Sequence, residues 1–372
     1  MTQPTASRAR AVAAFAPIRT LLLGFALLAS SCTALPTGAS ARSAPESFSP
    51  LVKKVLPAVV NIAVTETVGS NDLANTLPPA LHGTPFEREF RNRLGKRQEQ
   101  LQGAGSGFII DPSGVIVTNN HVVQHADHIV VSLTDGTELP ATVIGSDDLT
   151  DIAVIKVTPT HPLPAVSWGD SDRMEVGDWI LAAGNPFGLG GSVTAGIISA
   201  RGRDIGSGPF DDFLQLDAPI NPGNSGGPTF NMDGQVVGVN TAIVSPTGGS
   251  VGIGFAVPSA MVSRIVADLR DKGRIDRGWL GVSVEEAPAA SGRPAGVTVS
   301  SVERGGPASR AGLRVGDALL AVNGDKVDTS RALIRAVAAV PPGNSVKMTV
   351  RRGGQEMDIS VTVGRRPAES DG

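Results

Sequence analysis

A chain of 372 residues is long enough for two or three domains, each with a core of its own. Its formal charge of −3, without a basic stripe interleaved with aromatics, argues against a nucleic-acid partner. With 45 Gly, 27 Pro, no Tyr and many Val and Ile, the composition favours short strands and turns over long helices.

Residues 1–31 read as a secretory signal. Arg8, Arg10 and Arg19 precede an apolar run, Leu21 to Ala29, that is too short to span a bilayer comfortably, and no acidic residue occurs before Glu46. The long, Arg-rich beginning keeps a mitochondrial transit peptide as the competing reading. Cys32, the only cysteine, follows in LASSC, a pattern like a bacterial lipobox with Ala29 where Leu is usual. Lipidation there would attach the chain to a membrane; the alternative is an incidental Cys beside an ordinary cleavage site. A single cysteine excludes an intramolecular disulfide. Residues 32–47, rich in Ala, Ser and Pro, read as a flexible tether.

A short amphipathic helical turn near Phe48 leads into a strand at Val59–Val64. Gly69 to Gln102 is polar and charged with no clear period, as in a long surface loop; Phe86 and Phe90 within it could dock on a partner subunit or pack locally. Two β-rich runs, Phe108–Ile110 and Val115–Thr118, then flank the turn Asp111–Gly114, a hairpin signal. His121 stands just past the second run, where a rigid scaffold can present an imidazole. HVVQHADH holds three histidines within eight residues, which raises a metal alternative. The zinc-protease motif needs H-E-x-x-H on a helix and no Glu lies between these histidines, so His125 and His128 read as exposed and no metal is expected. Strands follow at Ile129–Leu133 and Ala141–Ser146. Asp151, immediately before the apolar run Ile152–Val157, is the member of the DDLTD cluster placed to turn inward, where a buried carboxylate needs a partner such as a histidine N–H.

The centre of the chain is LDAPINPGNSGGPTF, residues 216–230, with Ser225 inside a Gly-rich turn. A serine hydroxyl needs a base to become a nucleophile, and acyl transfer needs backbone N–H groups aimed at the developing oxyanion. GNSGG formally fits the nucleophile elbow of α/β-hydrolases, but there the histidine follows the serine, and all five histidines here precede Ser225. The order His, Asp, Ser is that of chymotrypsin-type proteases. A Gly-rich turn between strands is the bland alternative.

TNNHVV, LTDIAVIKV, GDWILAAGNPFGLGGSVTAGIISARGR and APINPGNSGGPTFNMDGQVVGVNTAI resemble the Do-like (HtrA/Deg) family of exported serine proteases. The resemblance covers roughly residues 48 to 365. It implies a mostly β protein, a chymotrypsin-like double six-stranded β-barrel followed by one PDZ domain. Motif by motif, it makes His121 the general base, Asp151 its orienter, Ser225 the nucleophile, and the Gly223 and Ser225 amides the oxyanion hole. It places Ile220, Ile243 and Ile253 around a small apolar specificity pocket suited to Val, Ile or Ala, although ordinary barrel core would use the same residues. It also makes the loop carrying Arg203 regulatory, and it implies a homotrimer or a multiple of trimers.

Pro258 to Lys272 has apolar residues at helical spacing and stops at Gly273. Arg274–Arg277 reads as a linker. RGGPASRAGLRVGDALLAVNG and the opening WLGV resemble a PDZ domain, with strands at Val282–Glu285, Val297–Val302, Ala318–Val322 and Val346–Arg351 and a helix at Ser330–Ala339. Such a domain takes an extended peptide as an added strand, and Trp279, Leu280, Gly281 and Val282 would cap its terminal carboxylate.

The expected boundaries are therefore a signal at 1–31, a tether at 32–47, the protease domain at 48–273, a linker at 274–277, the PDZ domain at 278–365 and a tail at 366–372. The expected function is a periplasmic endopeptidase that degrades unfolded or misfolded envelope proteins without a cofactor. A chaperone-type holdase and a regulatory protease with one client are the alternatives.

Overall fold

A computed structural model of the chain describes residues 45–68, 99–188, 190–246, 248–287 and 296–366. The expected signal, Cys32, most of the tether, Phe86, Phe90 and all but the first residue of the tail lie outside the described residues. The residues from Ser47 to Gly372 form one unit.

Helix α1 (Ser49–Val55) opens this unit and continues as a single 3-10 turn into strand β1 (Val59–Val68). The first barrel then takes β2 (Glu99–Asp111), β3 (Val115–Thr118), β4 (His128–Ser132), β5 (Glu138–Asp147) and β6 (Ile152–Val157). The strands close in the order β1-β2-β3-β6-β5-β4. Closure leaves no unpaired edge and forces alternate side chains inward. Ile62, Ile109, Ile116 and Ile155 fill the interior and are fully buried.

The second barrel comprises β7 (Trp179–Gly184), β8 (Ser192–Arg203), β9 (Phe213–Leu216), β10 (Pro228–Phe230), β11 (Val236–Ile243) and β12 (Gly254–Pro258), closed as β10-β11-β12-β9-β8-β7. Helix α2 (Asn120–Val123) is a single turn inserted after β3, and it carries His121. Helix α3 (Ser259–Lys272) packs across both barrels, against β5 and β6 of one and β11 and β12 of the other. It buries Val262, Ile265, Val266 and Leu269, each worth about 1.5–3 kcal/mol on leaving water. The same cluster joins Phe108 to Trp168 edge-on, with ring centroids 5.6 Å apart. The barrels thus share a core, which fixes the cleft between them.

The C-terminal domain has a separate core around Leu313, Leu319, Met348 and Val350. Its strands β14 (Val282–Ala287), β15 (Gly296–Val302), β16 (Ala318–Val322), β18 (Ser345–Arg352) and β19 (Gln355–Thr362) form one sheet in that order, with the short β17 (Asp325–Lys326) paired to β16. Strand β13 (Gly278–Trp279) pairs with β20 (Gly364–Arg365) and ties the two ends of the domain together. Helices α4 (Pro307–Ala311) and α5 (Ser330–Ala338) complete it. The sequence reading gave no element for α4 or β19. The Pro-Gly-rich surroundings of α4 and the polar alternation of β19 carry little local signal.

Candidate active site

His121 and Asp151 come from adjacent strand ends, because β3 and β6 are neighbours in the first barrel. His121 Nδ1 lies 2.7 Å from Asp151 Oδ2, and the His121 backbone N–H donates to Asp151 Oδ1 at 2.9 Å. The Asp151 carbonyl accepts from the Asn120 N–H at 3.1 Å and from Asn119 Nδ2 at 2.8 Å. Asp151 sits in the left-handed region, φ 57°, which a non-glycine residue adopts at a cost of about 1–2 kcal/mol. Those four contacts over-determine its placement and offset the strain. The carboxylate is 27 % exposed and the imidazole 42 %, so the ring keeps one open side.

Ser225 follows Gly223 on the loop between β9 and β10. Gly223 has φ 96°, and a Cβ there would stand 2.7 Å from Pro186 Cβ. Gly226 has φ 82°, and a Cβ there would lie 2.2 Å from the Ser106 carbonyl oxygen and 2.3 Å from Thr118 Oγ1. Only glycine tolerates that approach, and it presses the serine loop against the strand end leading to His121. Among the described residues, the Gly223 and Ser225 N–H groups bond to no protein acceptor, whereas the Asn224, Gly226 and Gly227 N–H groups all do. Nor does Ser225 Oγ make a hydrogen bond among the described residues, so the histidine–aspartate pair is closed and the serine–histidine link is open.

The three isoleucines occupy different settings. Ile220 is buried and packs with the half-buried Ile243 in one cluster of the second barrel, and it sits against Gly254. Ile253 packs on the larger shared core. Arg203, near the end of β8, donates from Nε to Gln215 Oε1 at 2.9 Å, along its own hairpin. Among the described residues no group of three or more His, Cys, Asp and Glu side chains is placed to hold a metal. None of their helices is long and apolar enough to cross a membrane.

A cleft of about 380 Å³ opens beside His121 and Asp151, with Leu149, Phe210 and Asp211 in its wall. A second groove, about 590 Å³, lies in the C-terminal domain between β14 and α5. Trp279, Leu280, Gly281 and Val282 line one end of it, and Leu333, Ile334 and Val337 of α5 line its side. Leu149 and Pro209 of the protease domain also reach this groove, so Leu149 belongs to the walls of both cavities.

Two residues absent from the sequence reading connect the domains. Arg335 on α5 donates to the Pro209 carbonyl at 2.7 Å and to the Asp211 carbonyl at 2.6 Å. Arg331, one turn earlier, pairs with Asp204, and this bond holds the Asp204 carboxyl below its ordinary range. Their spacing of four puts both on one face of α5, a signal visible in the sequence. Their partners were not visible. Arg277, placed in the expected linker, pairs with the buried Asp147 through both terminal guanidinium nitrogens and stacks 4.7 Å from the Phe210 ring centroid. Arg366 reaches Asp148 at 3.4 Å. The segment 204–211 is therefore held by the C-terminal domain, and the turn before Asp151 by the segments that flank that domain.

Two barrels with a histidine–aspartate pair at their junction and a glycine-framed serine beside it define a chymotrypsin-type serine protease, here followed by a peptide-groove domain. Residues 105–239 match the trypsin-like peptidase domain family and residues 278–363 the PDZ domain family. The chain is 45% identical over 353 residues to a protein of Brucella suis named as a probable periplasmic serine endoprotease DegP-like, covering 86% of this chain and 69% of that one. It is 40% identical over 363 residues to a protein of the same description from Pseudomonas putida, covering 93% and 74%. Among solved structures it resembles the HtrA-type protease AlgW with a decapeptide, at TM-score 0.72 and 40% identity, covering 87% of this chain and 99% of that one. It also resembles the serine endoprotease from Yersinia pestis, at TM-score 0.66 and 33% identity, covering 87% and 100%. The chain belongs to the HtrA-type, DegP-like serine endoproteases, with a PDZ domain following its protease domain.

Proposed function

We propose that the protein hydrolyses unfolded or misfolded proteins in the periplasm through a Ser225–His121–Asp151 triad, and that its PDZ groove binds C-terminal peptides and raises activity. The bidentate hold of Asp151 on His121 is the observation that carries this reading. A carboxylate on Nδ1 leaves Nε2 unprotonated and facing the open side, which is the tautomer a general base needs. Ser225 Oγ attacks the substrate carbonyl and gives its proton to His121 Nε2. The C–O bond to the enzyme forms and the oxyanion is met by the Gly223 and Ser225 N–H groups. His121 then donates the proton to the leaving amine as the C–N bond breaks. Water, deprotonated by His121, attacks the acyl-enzyme and releases the acid and Ser225. The open serine–histidine link of the resting molecule closes when substrate is held, a tightening common in such sites.

The grip of α5 on segment 204–211 supports the regulatory part. A peptide in the PDZ groove would lie against Leu149 and Pro209, and so would bear on the segment that α5 holds. Arg203 would act within this loop through its hairpin partner rather than by touching the PDZ domain. The same arrangement favours a protease with a dedicated client as the second reading, since a gated enzyme responds to a particular tail. The assembly is proposed to be a homotrimer or a multiple of trimers, with Cys32 the candidate position for a lipid anchor and an incidental cysteine beside a cleavage site the alternative.

Digestion of unfolded casein with mapped cut sites tests the proposal. Cuts should cluster after Val, Ile and Ala, and Ser225→Ala should abolish them while leaving casein binding intact. A dominant preference for Lys or Arg would contradict the pocket of Ile220, Ile243 and Ile253.

A further inference from the structure

Beneath the serine loop lies a buried hydroxyl that the triad does not use. Ser106, on β2, has no solvent exposure, and every one of its polar groups is engaged. Its backbone N–H donates to the Ser225 carbonyl at 2.8 Å. Its carbonyl accepts from Thr118 Oγ1 at 2.7 Å and faces Gly226. The side chain does what the backbone cannot. Ser106 Oγ donates to the Gly223 carbonyl at 2.5 Å and accepts from the Asn185 N–H at 2.8 Å.

This one oxygen therefore bridges two loops. One carries Gly223; the other begins at Asn185, whose carbonyl is fixed in turn by Asn61 Nδ2 at 2.9 Å. Gly223, without a side chain and at φ 96°, has little of its own to set its ψ. A hydrogen bond on its carbonyl supplies that restraint. Removing the hydroxyl would leave a buried carbonyl and a buried N–H without a partner, which drives the loop to rotate and re-pair them.

We infer that Ser106 is a positioning residue for the oxyanion hole: its hydroxyl anchors the Gly223 carbonyl and so keeps the Gly223 and Ser225 N–H groups convergent. The inference rests on the reading of Ser225 as nucleophile and of these two amides as the oxyanion donors. Its effect falls on the transition state and spares substrate binding, because the donors bond to charge that develops only during reaction.

The test is steady-state hydrolysis of a short reporter built on a cut site mapped in casein, paired with the affinity of a peptide boronate of the same sequence. The boronate forms a tetrahedral adduct at the serine and samples the oxyanion position. Ser106→Ala should lower kcat about tenfold to a hundredfold, less than outright loss of a donor, with KM changed by less than about twofold. Boronate affinity should fall by a similar factor. Ser106→Cys, near in size with a weaker donor, should lie between wild type and Ala. A purely structural role would instead lower the number of boronate-titratable sites and leave kcat per titrated site unchanged; that result overturns the inference. Failure of both variants to fold also counts against it. Ser225→Ala, run alongside, separates the two levels. If Ser225→Ala is inactive and Ser106→Ala is fully active per site, only the positioning role fails. If Ser225→Ala still hydrolyses the reporter, the nucleophile reading fails and takes the positioning role with it.

Discussion

The placement of Asp151 shows how much one residue can fix. Its side chain takes both the ring and the backbone N–H of His121, and its carbonyl takes Asn119 and Asn120. Asp151→Asn keeps the size but puts an N–H where an acceptor is needed, which favours the wrong imidazole tautomer. The expected result is a fall in kcat of about 10⁴-fold with a nearly unchanged fold, measured on the short reporter and by circular dichroism. A loss below tenfold would mean that Asp151 does not orient the base. The pairing of His121 with Asp151 could be anticipated from the sequence, because chain order and a few motif residues single these two out, with Ser225 as the proposed third member. Ser106 and Asn119 were not. A buried Ser or Asn carries no local pattern, and its role exists only once strands far apart in sequence have been brought together.

At the scale of elements, the linker is the clearest departure from the sequence reading. Arg274–Arg277 looked like a mere connector, yet Arg277 is nearly buried, pairs with Asp147 and lies over Phe210. Breaking a buried pair by removing one partner typically costs about 3–5 kcal/mol, because the other charge stays behind. Arg277→Ala should therefore lower chemical-denaturation stability by about that amount, and Asp147→Asn added to it should recover part of the loss. In the PDZ domain, Asp317 is buried and joined to Arg352 by two hydrogen bonds of 2.7 Å. Those bonds, with the Arg314 N–H, hold its carboxyl below the ordinary 3.8 despite burial. A carboxyl depressed on folding stabilises fully above its unfolded pKa, and that stabilisation is lost as pH falls through the folded value. The PDZ melting temperature should therefore drop as pH falls below the ordinary 3.8 in the wild type, and less so in Asp317→Asn. The strands of the first barrel were readable as β-rich runs between turn signals. Those of the second barrel were reached only through the family resemblance, because strands such as Trp179–Gly184 and Gly254–Pro258 are buried almost throughout and show no alternation. The contacts between barrel and PDZ domain depend on single arginines and were not.

At the scale of the whole molecule, the question is whether the PDZ groove and the active site communicate or merely sit on one chain. Tethering a substrate tail raises local concentration only for the chain that carries the tail. Gating through Arg331, Arg335 and segment 204–211 would act on any substrate. A free peptide with an apolar C-terminus should thus raise kcat/KM on a reporter too short to reach both sites, and Arg335→Ala should raise the basal rate and shrink the response. If the peptide slows long substrates and leaves the reporter untouched, tethering alone operates. All of this presupposes that Ser225 is the nucleophile of a serine endoprotease. Labelling the full chain with an organophosphonate and mapping the adduct by peptide mass spectrometry tests that point most directly. The expected result is one adduct per chain, on Ser225, formed in step with loss of peptide hydrolysis and absent from His121→Ala. An adduct on another residue, or complete labelling of Ser225 with hydrolysis retained, would contradict it.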